Sequence, residues 1–193
     1  MTARFFRLLV CQLLLVFACA SVHAAEGIEI TRASIEASDD GYRLAASYSF
    51  DLTPGLEQAV MHGVPLHFTT EIELTRPRWW WYDDKAVSKR RTVRLHYDLL
   101  TRQYTVQVIG SSQQSGSLQQ SYATLEEALF LVRRPNRWLI ASKGELKPGE
   151  TYNVTLRMFM DRDYLQKPLQ VDAFNNSDLR LGSHKKTFTY RAE

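Results

Sequence analysis

A chain of 193 residues with 45% hydrophobic and 11% aromatic side chains has the composition of a folded globular domain, which excludes the disordered, collagen-like and low-complexity classes. Its length fits a single core, since a chain of this size buries roughly 70% of its unfolded surface. The net charge of +3 falls to +1 once Arg4 and Arg7 are set aside with the leader described next, so the charge does not call for a nucleic-acid partner.

Residues Met1 to Ala24 read as a secretory signal. Arg4 and Arg7 form a positive n-region, and Leu8 to Ala18 form an apolar run interrupted only by Gln12. That run is shorter than the ~20 apolar residues a membrane-spanning helix needs. Val22-His23-Ala24 supplies the cleavage pattern, with Ala18-Cys19-Ala20 as a second choice. The expected organisation is a signal peptide over 1–24 and one β-rich domain over 25–193, periplasmic or secreted after removal of the signal. Two readings compete with it: an uncleaved anchor, and a bacterial lipobox at Val16-Phe17-Ala18-Cys19. Membrane association is expected only if Cys19 is lipidated, and bulky Phe17 stands where a small residue is usual. Both cysteines, Cys11 and Cys19, lie in the signal, so the mature chain is expected to have no disulfide, thiol nucleophile or thiolate metal site.

From Ile28 onward, alternation with period two dominates. Ile28/Ile30 and Ala33/Ile35/Ala37 differ in parity, a mismatch that a bulge near Thr31-Arg32 relieves. Asp39-Asp40-Gly41 is a hairpin turn into a strand whose buried face is Tyr42, Leu44, Ala46, Tyr48, Phe50 and Leu52. Thr53 caps a short helix that starts at Pro54 and closes at Gly63. Strands follow at Val64 to Leu74, Val93 to Leu99 and Tyr104 to Val108, and the polar run Gly110 to Ser117 is expected to be a mobile loop. Thr124 and Glu127 form a capping box for a second helix that Pro135 stops, with Leu125, Ala128, Leu129 and Val132 as its apolar stripe. Lys147-Pro148-Gly149-Glu150 is a tight turn before a strand at Val154 to Met160, and weaker strands are expected at Leu169 to Phe174 and Lys186 to Tyr190. Short turns join antiparallel strands, and a one-sided sheet must cover its apolar face. The predicted fold is therefore mainly β: an antiparallel β-sandwich of about eight to ten strands with two short helices, with a β-barrel as the alternative.

No nucleophile elbow, phosphate loop, His-Glu-x-x-His pattern or calcium loop is present. His67, His96 and Glu71 share the polar parity of neighbouring strands, which raises a two-His-one-carboxylate site, but solvated side chains on a strand face are the common case and four ligands at good spacing are not shown; no metal or cofactor is expected. Glu71 and Glu73 share one face and, with His67 and His96, are the acid–base groups an envelope hydrolase acting on glycan or peptide would use. The run from Arg76 to Lys85 concentrates three of the four tryptophans beside guanidinium groups, a composition typical of binding hot spots. If extended, Trp79 and Trp81 face one way and Trp80 and Tyr82 the other, so one pair joins the core. Arg76, Arg78, Trp79 and Trp81 are the candidate ligand- or partner-binding residues, and export argues against nucleic acid as the ligand.

The strings Glu73-Leu74-Thr75-Arg76-Pro77-Arg78-Trp79, Arg94-Leu95-His96-Tyr97, Leu100-Thr101-Arg102-Gln103-Tyr104, Leu125-Glu126-Glu127-Ala128-Leu129 and Lys167-Pro168-Leu169-Gln170-Val171 resemble a bacterial exported family known as domain of unknown function 4390. The resemblance covers nearly the whole mature chain. It implies an exported protein, often encoded beside a sensor histidine kinase, and hence a link to envelope signalling. The leading functional expectation is a non-catalytic periplasmic binding or interaction module for an unidentified envelope protein or ligand, of undetermined oligomeric state. The alternatives are the hydrolase and a membrane-tethered lipoprotein scaffold.

Overall fold

The computed structural model describes residues 27–77, 84–109, 119–135, 137–165, 167 and 177–193. The signal segment, the tryptophan run from 78 to 83, the polar run 110–118 and the expected strand at 169–174 lie outside the described residues.

The hairpin predicted at the start forms as β1 (Glu29–Ser38) and β2 (Gly41–Ser49), and the ladder slips between Ile30 and Arg32, so Thr31 is the bulged residue that reconciles the two parities. Gly41 turns the corner at φ 141°, and a Cβ there would meet the Ala141 carbonyl oxygen of a neighbouring strand at 2.2 Å. Helix α1 (Pro54–Met61) follows, with Thr53 accepting from the Leu56 N–H at 3.4 Å and Leu56 and Val60 fully buried. Strands β3 (Leu66–Arg76), β4 (Asp84–Asp98) and β5 (Gln103–Ile109) form a meander that continues into β6 (Gln119–Tyr122). Helix α2 (Leu125–Arg133) carries the complete capping box between Thr124 and Glu127 and buries Ala128, Leu129 and Val132. Then come β7 (Trp138–Ser142), β8 (Thr151–Met160) and β9 (Lys186–Arg191).

The nine described strands make two antiparallel sheets, β1-β2-β7 and β6-β5-β4-β3-β8-β9, which stay separate instead of closing on each other. The fold is the predicted sandwich and not the barrel. Tyr42, Leu44, Ala46 and Tyr48 of the small sheet face Phe68, Ile72, Leu156 and Met158 of the large one, and Phe50 packs on Phe68 with ring centroids 5.4 Å apart. Burying each large apolar side chain contributes about 1.5–3 kcal/mol. Both helices fill core that three strands cannot cover on six. Arg133 pins α2 to the end of β2, donating from Nε to the Phe50 carbonyl at 2.8 Å and pairing with Asp51 and Glu126.

The order of the large sheet fixes what its outer face presents. Leu66, Phe68, Ile72 and Leu74 of β3 point inward, so His67, Thr69, Glu71 and Glu73 point out, between β4 on one side and β8 on the other. Strand β4 is longer than β5. Only Thr92–Asp98 pair with β5, and among the described residues the half from Asp84 to Arg91 has β3 alone as a partner.

Candidate functional site

Successive rungs of the outer face have different chemistry. At one end Thr69 is fully buried and donates to the Asp161 carboxylate at 3.3 Å, while its oxygen lies 2.9 Å from the Thr92 hydroxyl across the ladder. The chain leaving β8 folds over this corner as a single 3-10 turn (Arg162–Tyr164), with Asp161 accepting from the Asp163 N–H at 3.2 Å and its own N–H donating to the His67 carbonyl at 2.7 Å. Tyr164 stacks on the buried His67 imidazole, centroids 4.4 Å apart. Burial, and then the Arg94 guanidinium, push His67 below the ordinary histidine value, with Asp161 acting the other way.

The next rung is open. Glu71 stands opposite Arg90 of β4 and Arg157 of β8, and each of its oxygens accepts from one of the two guanidiniums, the Arg157 bond at 2.8 Å. Burial raises the Glu71 carboxyl, but these two partners together hold it below the usual carboxylate range. The Arg157 guanidinium carbon also sits over the Phe159 ring, 4.4 Å from its centroid, a cation–π contact. Leu156 pairs with Lys186, the first residue of β9, and Lys185 just before it lines the same cleft as Arg157. One rung further, Glu73 is bridged by Lys85 and stands between Ser88 and Thr155. Together these rungs line a cleft of about 340 Å³ floored by β3.

Of the residues singled out from sequence, Arg76 bonds Asp84 at 2.9 Å across the last rung of the β3–β4 ladder. Arg78, Trp79 and Trp81 lie outside the described residues, in the connection that leaves β3 after this rung and returns at Asp84. Glu71 and Glu73 do share one face, as expected. His67 and His96 also share it, but Arg94 sits between them, opposite one and two residues from the other, and together with burial it lowers both imidazoles. With Glu71 held by two arginines, the carboxylate of the conceivable metal triad is occupied. Among the described residues no three His, Cys, Asp or Glu side chains gather in a metal-ligating set. Among them, too, no helix is long and apolar enough to cross a membrane.

The residues that sequence reasoning missed are Arg157 and Lys185, and Arg90 as a partner of Glu71. Arg90 was visible only as part of the basic run after the tryptophans. Arg157 showed only as a polar position between Leu156 and Met158.

The model of the family described as domain of unknown function (DUF4390) matches residues 25–189. The chain belongs to that family. No curated protein and no solved structure matches it. DUF4390 membership agrees with the motifs from Glu73-Leu74-Thr75-Arg76 to Lys167-Pro168-Leu169, and the match takes in β1 to β8 and the first four residues of β9.

Proposed function

We propose that this chain is an exported, non-catalytic binding module that works through the outer face of its six-stranded sheet. The observation that carries the reading is the state of the two carboxylates in the cleft. Glu71 is bonded by two guanidiniums and Glu73 is bridged by an ammonium, so the oxygens that glycan or peptide hydrolysis would use already have partners. The same groups suit recognition, because cations fixed by ion pairs and by stacking lose little freedom when a ligand arrives. The Glu73 end of the cleft lies three residues along β3 from Arg76, which pairs with Asp84 at the end of the ladder. Export is supported by the n-region, apolar run and cleavage pattern of residues 1–24, and by a family match that begins at residue 25. A role in envelope signalling rests on the family resemblance.

Photocrosslinking residues placed at Ser88, Lys185 and Trp79 in intact cells test the reading, with Ala45 on the outer side of the small sheet as control. Crosslinks from the first three sites and not from Ala45 are the expected result. Crosslinks from Ala45 alone would move the binding face to the other sheet, and turnover of a glycan or peptide substrate lost on Glu71→Gln would restore the hydrolase. Mass spectrometry of the mature N-terminus separates a free Ala25 from an acylated Cys19 and so tests the lipoprotein scaffold alternative.

A further inference from the structure

The covered corner of the outer face holds one group that its cover does not satisfy. His67 is 7% exposed, and its Nδ1 is buried with no hydrogen bond of normal geometry among the described residues. Buried polar atoms are as a rule hydrogen-bonded, so an orphaned one calls for a state of the site in which it finds a partner. Across the ladder His67 faces Arg94, and His96 follows two residues along β4 on the same face. The turn after β8 brings Asp161, Arg162, Asp163 and Tyr164 to this corner, and the Asp161 carboxylate is engaged there by the Thr69 hydroxyl and the Asp163 N–H. Tyr164 lies between two fixed points. Asp161 donates its N–H to the His67 carbonyl at 2.7 Å, and Leu165 is buried. The Tyr164 ring stacks on the imidazole with the planes 19° from parallel, yet the residue is 47% exposed, so its ring can leave without moving either anchor.

We infer that Tyr164 is an acid-released cover: a proton taken up by His67 from solvent drives the tyrosine ring off the imidazole and opens the His67–Arg94 rung at the end of the outer face. The device stands apart from the proposed binding function. A neutral imidazole fits a dry site beside a guanidinium, whereas an imidazolium needs acceptors for two N–H groups and repels the cation directly opposite it. The stacked ring attracts a cation through its face, but Nδ1–H lies in the imidazole plane, where that face offers no acceptor. Water reaches the imidazole once the ring has left. Burial, and then Arg94, hold His67 below the ordinary histidine value, and the Asp161 carboxylate and Pro65 carbonyl, which act the other way, do not overcome them. Below that ordinary value, near pH 6.5, an uncovered His67 binds a proton more readily than a covered one, so the cover weakens as pH falls, by at most about tenfold per pH unit. At higher pH the imidazole is neutral in both states, and the cover is indifferent to pH.

By linkage, the factor by which Tyr164 weakens proton binding at His67 equals the factor by which the proton weakens the cover. NMR titration of the imidazole in the purified chain reads this factor. Tyr164→Ala, at a half-exposed position, is expected to tighten proton binding at His67 by about threefold or more, and Arg94→Gln to tighten it with the cover in place. The cover itself is read by cross-relaxation between the His67 and Tyr164 ring protons. It is expected to be strong at pH 7.5 and largely lost one pH unit below the measured His67 midpoint, while the amide spectrum stays that of the folded chain. In His67→Phe the two rings are expected to remain in contact at both pH values. Unchanged or weakened proton binding in Tyr164→Ala overturns the inference, because the tyrosine would then be neutral towards the imidazolium or hold it. Ring contact that persists once His67 is protonated overturns it as well. So does loss of the contact in His67→Phe, which would assign the acid response to another group, or collapse of the whole amide spectrum with the contact, which would make the event global unfolding.

Discussion

Two rungs of one sheet face, next to each other on β3, have opposite fates. At Thr69 the polar groups lie under the turn that follows β8 and satisfy one another, threonine to threonine and threonine to aspartate. At Glu71, two residues on, nothing described lies over the sheet, and the charges face solvent in a cleft. Both positions alternate with apolar neighbours and look alike as sequence. What separates them is whether another piece of chain covers them: a covered polar side chain must be hydrogen-bonded and then contributes to stability, while an uncovered one is free to serve recognition.

The sharpest way to break this contrast is at Asp161. Asp161→Ala leaves the buried Thr69 hydroxyl and the Asp163 N–H without their acceptor and should destabilise the fold by about 2–4 kcal/mol in urea unfolding. A loss below about 1 kcal/mol would mean that the covered corner does not differ energetically from the open one. A smaller effect comes from pH. His67 and His96 have lowered values in the folded state, so above roughly pH 6.5 they contribute no pH dependence, and below it the unfolded chain binds protons that the folded chain resists. Stability should therefore fall as pH drops from about 6.5, and fall more steeply below the normal Glu range as Glu71 leaves its two arginines. His67→Phe, which keeps a ring against Tyr164, should flatten the first part of that decline in thermal melts recorded from pH 8 to 5. If the decline is unchanged, His67 is not its source. Smaller again is Glu71→Gln, whose partners are the exposed Arg90 and the half-buried Arg157. We expect less than about 1 kcal/mol, diminishing further in 0.5 M salt, because exposed ion pairs contribute little. Least of all, Lys185→Ala should leave stability within about 0.5 kcal/mol in the same urea assay. A clear loss there would make the lysine structural.

Much of the architecture was legible because it is local. The parity slip at Thr31, the Gly41 corner, the Thr53-Pro54 start and the Thr124/Glu127 box each lie within a few residues, and all formed as read. Two strands escaped notice. Gln119–Tyr122 is polar on both sides of a short edge, and Trp138–Ser142 is too brief to alternate visibly. The first half of β4 was hidden by Lys85, Lys89, Arg90 and Arg91, which read as a flank of the tryptophans and not as a strand. The cleft was illegible for a different reason. That Glu71 meets Arg90 nineteen residues away and Arg157 eighty-six away depends on register, and many registers satisfy the same apolar alternation. The tryptophan run remains the strongest signal in the sequence alone, and the structure adds that its two ends are tied by Arg76 and Asp84.

The overhanging half of β4 bears on how the protein avoids joining itself. A strand edge with open amide and carbonyl groups is a template on which another copy can add a strand, the first step towards polymers. From Asp84 to Arg91 the ladder partner among the described residues is β3, and four of the eight side chains are cationic. A second copy arriving edge to edge would bring its own four cations against these, and the repulsion would oppose pairing along the whole segment. The charges that concealed this strand from its sequence pattern are thus suited to opposing edge-to-edge association of the folded molecule.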